Sequence, residues 1–120
     1  MKKIYYNKII RDGVAEMMRN KGKQFETKTL NSKDFEKALI AKIAEEAGGV
    51  VAAKDRTELI DELADLTAVM EELKKFKKIT PAEFRKAFSA NMKKKGGFAK
   101  RLWLTWSEDD GYKTNEKRNG

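Results

Sequence analysis

The stretch from Ser32 to Phe76, SKDFEKALIAKIAEEAGGVVAAKDRTELIDELADLTAVMEELKKF, decides how the chain is built. Asn31 and Ser32 offer a helix N-cap, and an apolar helical pattern runs from there to about Ala53. Asp55-Arg56-Thr57-Glu58 has capping-box spacing, with Asp in place of the usual Ser or Thr, and opens a second long helix to about Phe76. Only a short turn around Lys54-Asp55 separates the two, so they are expected to pack antiparallel.

At about 100° per residue, Phe35, Leu39, Ile43 and Val50 share one arc of about 80° on the first long helix. Glu46 lies inside that arc, and Lys42 and Gly49 lie at its edge. A carboxylate in an apolar stripe is costly unless it is paired, protonated or bound to a metal. For Glu46 taken alone those readings stay open, Lys42 being the partner at hand. The second long helix carries an expected core stripe of Leu59, Leu63, Leu66, Met70 and Leu73. On its shoulder stack Glu58, Glu62, Asp65 and Glu72, each like-charge pair costing a few tenths of a kcal/mol, on the order of 0.2–0.5. Only Lys54 and Arg56 are near in sequence to offset them, and a divalent cation would. Glu46 stands about eight residues before the turn, and Glu62 and Asp65 about seven to ten after it. Antiparallel packing therefore brings the three to one level, as an oxygen-only set of the kind Mg²⁺ accepts.

Outward from this hairpin, Arg11 to Asn20 reads as a short helix ended by Gly22, and residues 23–30 as an extended connector. Thr80-Pro81-Ala82-Glu83 opens a last helix that Gly96-Gly97 stops after Lys95. The expected fold class is all-α and four-helix-bundle-like. Residues 1–106 form one expected domain, and residues 107–120 a polar C-terminal tail.

Composition removes whole classes of chemistry. The 120 residues include no His and no Cys. That excludes an imidazole base, a Ser-His-Asp triad, a thiolate nucleophile, disulfides and Cys- or His-ligated metals. Any metal must be held by oxygen, which selects hard cations. No clean apolar run is longer than Val50 to Ala53, far short of the roughly 20 residues that span a bilayer. No signal peptide is legible at the N-terminus, and a cytoplasmic location with no membrane partner is expected. The net charge of +8 is unevenly placed: residues 1–44 carry +6, residues 45–72 carry −7 and residues 73–120 carry +9. An acidic centre of that size argues against a polynucleotide coat.

At the carboxylates the sequence also resembles a known family. Glu45-Glu46-Ala47-Gly48-Gly49 followed by Glu62-Leu63-Ala64-Asp65 resembles the Glu-Glu-x-x-Glu and Glu-x-x-Asp motifs of the all-α nucleoside triphosphate pyrophosphohydrolase superfamily. These are the MazG-like and phosphoribosyl-ATP pyrophosphohydrolase-like proteins. Tyr6-Asn7-Lys8-Ile9-Ile10-Arg11-Asp12 is similar to the Tyr-Asn-Lys-Leu-Val-Arg-Asp opening of one subgroup. Lys95-Gly96-Gly97-Phe98-Ala99-Lys100-Arg101 is similar to its Gly-Gly-Phe-x-x-Arg ending. The likeness spans roughly residues 5–106. It departs at Gly49, where the family has its third Glu, and near Ala15, where the subgroup has Pro.

The resemblance implies Mg²⁺-dependent hydrolysis of a nucleotide between the α- and β-phosphates, with Mn²⁺ as an alternative cation. It implies metal ligation by Glu46, Glu62 and Asp65, and a homo-oligomer, dimer or tetramer, with sites at the interface. Glu45 is the candidate for activating water or orienting a ligand. Lys8, Arg11, Lys94 and Arg101 are candidates for contact with phosphate, though Arg11 could instead pair with Asp12 or the acidic helix. Leu102 and Leu104 alternate with Trp103 and Trp106, which reads more readily as packing on the bundle or a neighbouring subunit than as a base-stacking platform. Two other readings stand beside the enzyme: a nucleotide-binding homologue impaired by Gly49, and a basic helical nucleic-acid binder using Lys93-Lys94-Lys95 and the Trp pair.

Overall fold

The computed structural model describes residues 2–109 and Gly111, and most of the expected tail lies outside the described residues. Four helices follow in order: α1 (Asp12–Asn20), α2 (Ser32–Ala52), α3 (Arg56–Phe76) and α4 (Pro81–Lys95). Among the described residues there is no strand, so the chain is all-helical as its periodicity predicts. No described helix is long and apolar enough to cross a membrane.

The helix ends sit where local chemistry puts them. Asn31 accepts a hydrogen bond from the Asp34 N–H at 2.8 Å, and Asp55 accepts one from the Glu58 N–H at 2.8 Å. Glu58 reaches back past the cap, its carboxylate accepting from the Lys54 N–H at 2.8 Å. That box therefore also clamps the turn between the long helices. Thr80 accepts from the Glu83 N–H at 3.1 Å and starts α4 ahead of Pro81. At the end of α3, the Lys78 and Ile79 N–H groups donate to the Lys75 and Lys74 carbonyls, with Lys78 left-handed at φ 58°. This is the usual closing geometry of a helix, occupied here by lysine instead of glycine.

α2 and α3 pack antiparallel. Phe35, early in α2, meets Phe76 at the end of α3 edge-on, with ring centroids 5.4 Å apart. Glu36 pairs with Lys77 at the same level. The buried side chains of the hairpin are Leu39 of α2 and Val69 of α3, 3% and 8% exposed. Phe35, Ile43, Val50, Leu66, Leu73 and Phe76 are half-buried around them.

One expectation is corrected. Leu59, Leu63 and Met70, assigned to the core stripe of α3, are exposed at 38%, 45% and 42%. On a helical wheel the buried Val69 lies about 80° from the centre of that stripe, on the side of Glu62 and Asp65. α3 has two apolar sides, and one partner helix covers only one of them. The covered side carries the carboxylates.

The described chain falls into two compact units, one ending at Phe84 and the other starting at Arg85. In the second unit every described residue is exposed.

Candidate metal centre

The register that joins Phe35 to Phe76 also sets Glu46 level with Glu62 and Asp65. One carboxylate oxygen from each lies within 4.8 Å of the other two, and all three residues are half-buried. Glu46 is more enclosed than Asp65, its side chain 13% exposed against 42%. The helical pattern and the short turn thus bring together the three acids that sequence reasoning groups.

Their electrostatic setting draws on cations beyond Lys54 and Arg56, the two near the α3 acids in sequence. Lys42, one turn before Glu46, places its Nζ 3.3 Å from Glu46 Oε1 and 3.2 Å from Glu45 Oε2. Lys8 donates to Glu45 Oε1 at 2.7 Å, and Arg11 Nη1 donates to Asp65 Oδ1 at 3.3 Å. Two of these cations come from the N-terminal segment, 37 and 54 residues away in sequence. The hydrogen bond from Lys8 holds Glu45 below the usual carboxylate range, with Lys42 adding to the effect. The same bond raises Lys8 above the usual lysine range.

Glu62 goes the other way. Among the described residues no basic side chain pairs with it. Burial raises its pKa, and the carboxylates of Glu46, Asp65, Asp61 and Glu58 raise it further. Its carboxylate lies against the bare Cα of Gly49. A Cβ there would run into that carboxylate, with Glu62 Cδ only 2.7 Å away. A side chain at position 49 would therefore require the flexible Glu62 carboxylate to shift.

The donor set is chemically suited to a hard divalent cation. Mg²⁺ binds oxygen at about 2.1 Å in octahedral geometry, so among three ligand oxygens at least two pairs stand about 3.0 Å apart. Oxygens within 4.8 Å of one another would have to close to that spacing by side-chain rotation. Three carboxylates leave further positions for water or phosphate oxygen. Lys42 and Arg11 offset part of the charge that would attract the ion, while Glu62 remains without an offsetting partner.

The other sequence candidates divide by unit. Lys8 and Arg11 rest on carboxylates, and Lys8 and Glu45 line a groove of about 100 Å³ with Asn7, Ile9, Ala38, Ala41 and Lys42. Nucleotide-sized ligands occupy pockets of about 300–1,000 Å³, so this groove alone does not enclose one. Lys94 and Arg101 belong to the second unit and are exposed, Arg101 in the left-handed region at φ 55°. Lys42 is the site residue to which sequence reasoning gave too small a part. Its signal was present, a lysine four residues before a stripe-embedded glutamate. No protein-family model, curated protein or solved structure matches the chain.

Proposed function

We propose that this protein is a Mg²⁺-dependent nucleotide pyrophosphohydrolase, with Mn²⁺ as the alternative cation, converting a nucleoside triphosphate to the monophosphate and pyrophosphate. The observation that carries the reading is the meeting of Glu46, Glu62 and Asp65 from two helices at one level. Four ordered motifs support it: Glu45-Glu46, Glu62 to Asp65, Tyr6 to Asp12 and Gly96 to Arg101.

In this reading Glu46, Glu62 and Asp65 would hold the cation, whose chemistry when bound would be neutralisation of phosphate charge and activation of water. Glu45, held ionised between two lysines, is a weak base near neutrality. Its part is to orient Lys42 against Glu46. Lys8 and Arg11 are the cations of the first unit that would face the phosphates, and Lys94 and Arg101 are exposed candidates carried by the second unit. The groove beside Lys8 is small, so the same reading includes a homo-oligomer in which a neighbouring subunit helps to enclose the nucleotide.

One observation favours a second reading. Gly49 stands where the resembled family has a carboxylate, and Glu62 occupies the space above it. The chain would then bind nucleotide without turning it over. The experiment is pyrophosphate release from a panel of nucleoside triphosphates with Mg²⁺ or Mn²⁺, run on the wild type and on Gly49→Glu. Release by the wild type supports the enzyme. A silent wild type with an active Gly49→Glu variant supports the impaired binder. Silence of both, with tight salt-dependent binding to a polynucleotide, overturns both readings.

A further inference from the structure

Two of the three clustered acids already hold a cation of the chain itself, and those two cations differ in what it takes to move them. Lys42 pairs with Glu46 from one turn earlier on α2, bridges to Glu45 as well, and has a side chain only 15% exposed. Arg11 meets Asp65 through a single contact at 3.3 Å, and its side chain is 64% exposed. It closes a stretch, residues 2–11, that forms neither helix nor strand. Its backbone is held, since its carbonyl accepts from the Val14 N–H at 3.0 Å, while its side chain caps nothing. Arg11 can therefore leave Asp65 by turning about its own side-chain bonds, with α1 in place. Lys8 rests on Glu45, which is outside the trio.

We infer that Arg11 is an internal counter-ion that a divalent cation must replace on Asp65, so that the site takes the cation as its complex with a di- or triphosphate in preference to the free ion. The inference rests on the cation site proposed above and adds an order to its filling. A divalent ion on Glu46, Glu62 and Asp65 would stand close to the guanidinium, and like charges repel. Free cation thus binds against Arg11, which gives up its carboxylate for water alone. A cation that arrives with phosphate brings Arg11 a new partner, because the planar guanidinium fork matches phosphate oxygens as it matches a carboxylate. Cation and phosphate then favour each other's binding by the same factor, as linkage requires. Lys42, enclosed and shared between two acids of its own helix, stays where it is.

The test is equilibrium dialysis of the full chain against Mn²⁺ alone and against its complex with methylenediphosphonate, a diphosphate that is not hydrolysed. The wild type should bind the complex at least about 5-fold more tightly than Mn²⁺ alone, the low end of ordinary coupling between ligands. Arg11→Gln should bind Mn²⁺ alone about 5-fold more tightly than the wild type and lose most of the preference for the complex. Arg11→Lys, which keeps the charge without the fork, should bind Mn²⁺ alone as the wild type does and keep part of the preference. Arg56→Gln removes the same charge six and nine residues before Glu62 and Asp65. That is about 9 and 13 Å of helix, beyond the screening length of about 8 Å, so it should change neither affinity. Mn²⁺ bound alike by the wild type and Arg11→Gln overturns the inference and leaves the cation site standing, as does a preference that survives in Arg11→Gln. Equal effects of Arg56→Gln, or weaker binding of both forms by Arg11→Gln, overturn it too, in favour of net charge or of a structural role. No binding of either form to the wild type or Arg11→Gln overturns the cation site and this inference with it.

Discussion

The α2–α3 hairpin and the segment that begins at Arg85 are both rich in large apolar residues, and they use them differently. In the hairpin, a turn of three residues forces two amphipathic helices together, and Leu39 and Val69 leave solvent. Beyond Arg85, Phe98, Leu102, Trp103 and Trp106 stay 80–95% exposed. Apolar content alone does not make a core; a short connection that imposes a register does. The same register that buries Leu39 and Val69 carries Glu46, Glu62 and Asp65 to one level, so the core and the candidate site are consequences of one turn.

The sharpest way to break this contrast is to remove its centre. Leu39→Ala should cost about 2–5 kcal/mol in denaturant unfolding, whereas Trp103→Ala should shift stability by no more than about 0.5 kcal/mol. Equal effects would mean that the hairpin is not where stability resides. Next in size are the carboxylates. Asp65→Asn and Glu46→Gln should each lower pyrophosphate release about 100-fold or more, equivalent to roughly 2.7 kcal/mol of barrier. Wild-type rates in both would detach the cluster from the chemistry.

These predictions rest on parts of the molecule that differ in how far the sequence discloses them. The four helices and their caps at Asn31, Asp55 and Thr80 are legible because caps and periodicity act over three or four residues. The meeting of Glu46 with Glu62 and Asp65 is legible because a short turn leaves little freedom of register. The facing of α3 is not. Leu59 and Leu63 on one side compete with Val69 and Phe76 on another, and residue pattern alone does not rank two apolar sides. The bond from Lys8 to Glu45 is also hidden, since it crosses 37 residues with no periodic signal, whereas the pairing of Arg11 with the acidic helix is one of the readings that its charge offers.

Smaller tests probe how the hairpin is held. Asp55→Ala removes the cap acceptor for the Glu58 N–H at the turn and should cost about 1 kcal/mol in unfolding free energy. A cost near zero would show that packing alone sets the turn. The Lys8–Glu45 pair is smaller still, worth about 0.2–1 kcal/mol because both groups are partly exposed. Its pH signature follows from the two shifts. Glu45 is lowered in the folded chain, so its contribution is complete above the ordinary value of 4.5 and fades as pH falls through the lowered one. Lys8 is raised, so its contribution is complete below 10.5 and fades as pH rises through the raised value. Lys8→Met should therefore lower stability between about pH 5 and pH 10 and converge on the wild type at both extremes. A difference that persists at both extremes would assign the effect to packing of the lysine stem.

The central claim is that three carboxylates on two helices form one cation site, and the most direct measurement is Mn²⁺ binding to the full chain followed by electron paramagnetic resonance. The account predicts one Mn²⁺ per chain, displaced by Mg²⁺, and lost in both Glu46→Gln and Asp65→Asn while the helical circular dichroism is retained. Absence of binding up to millimolar Mn²⁺, or binding unchanged in both variants, would contradict it.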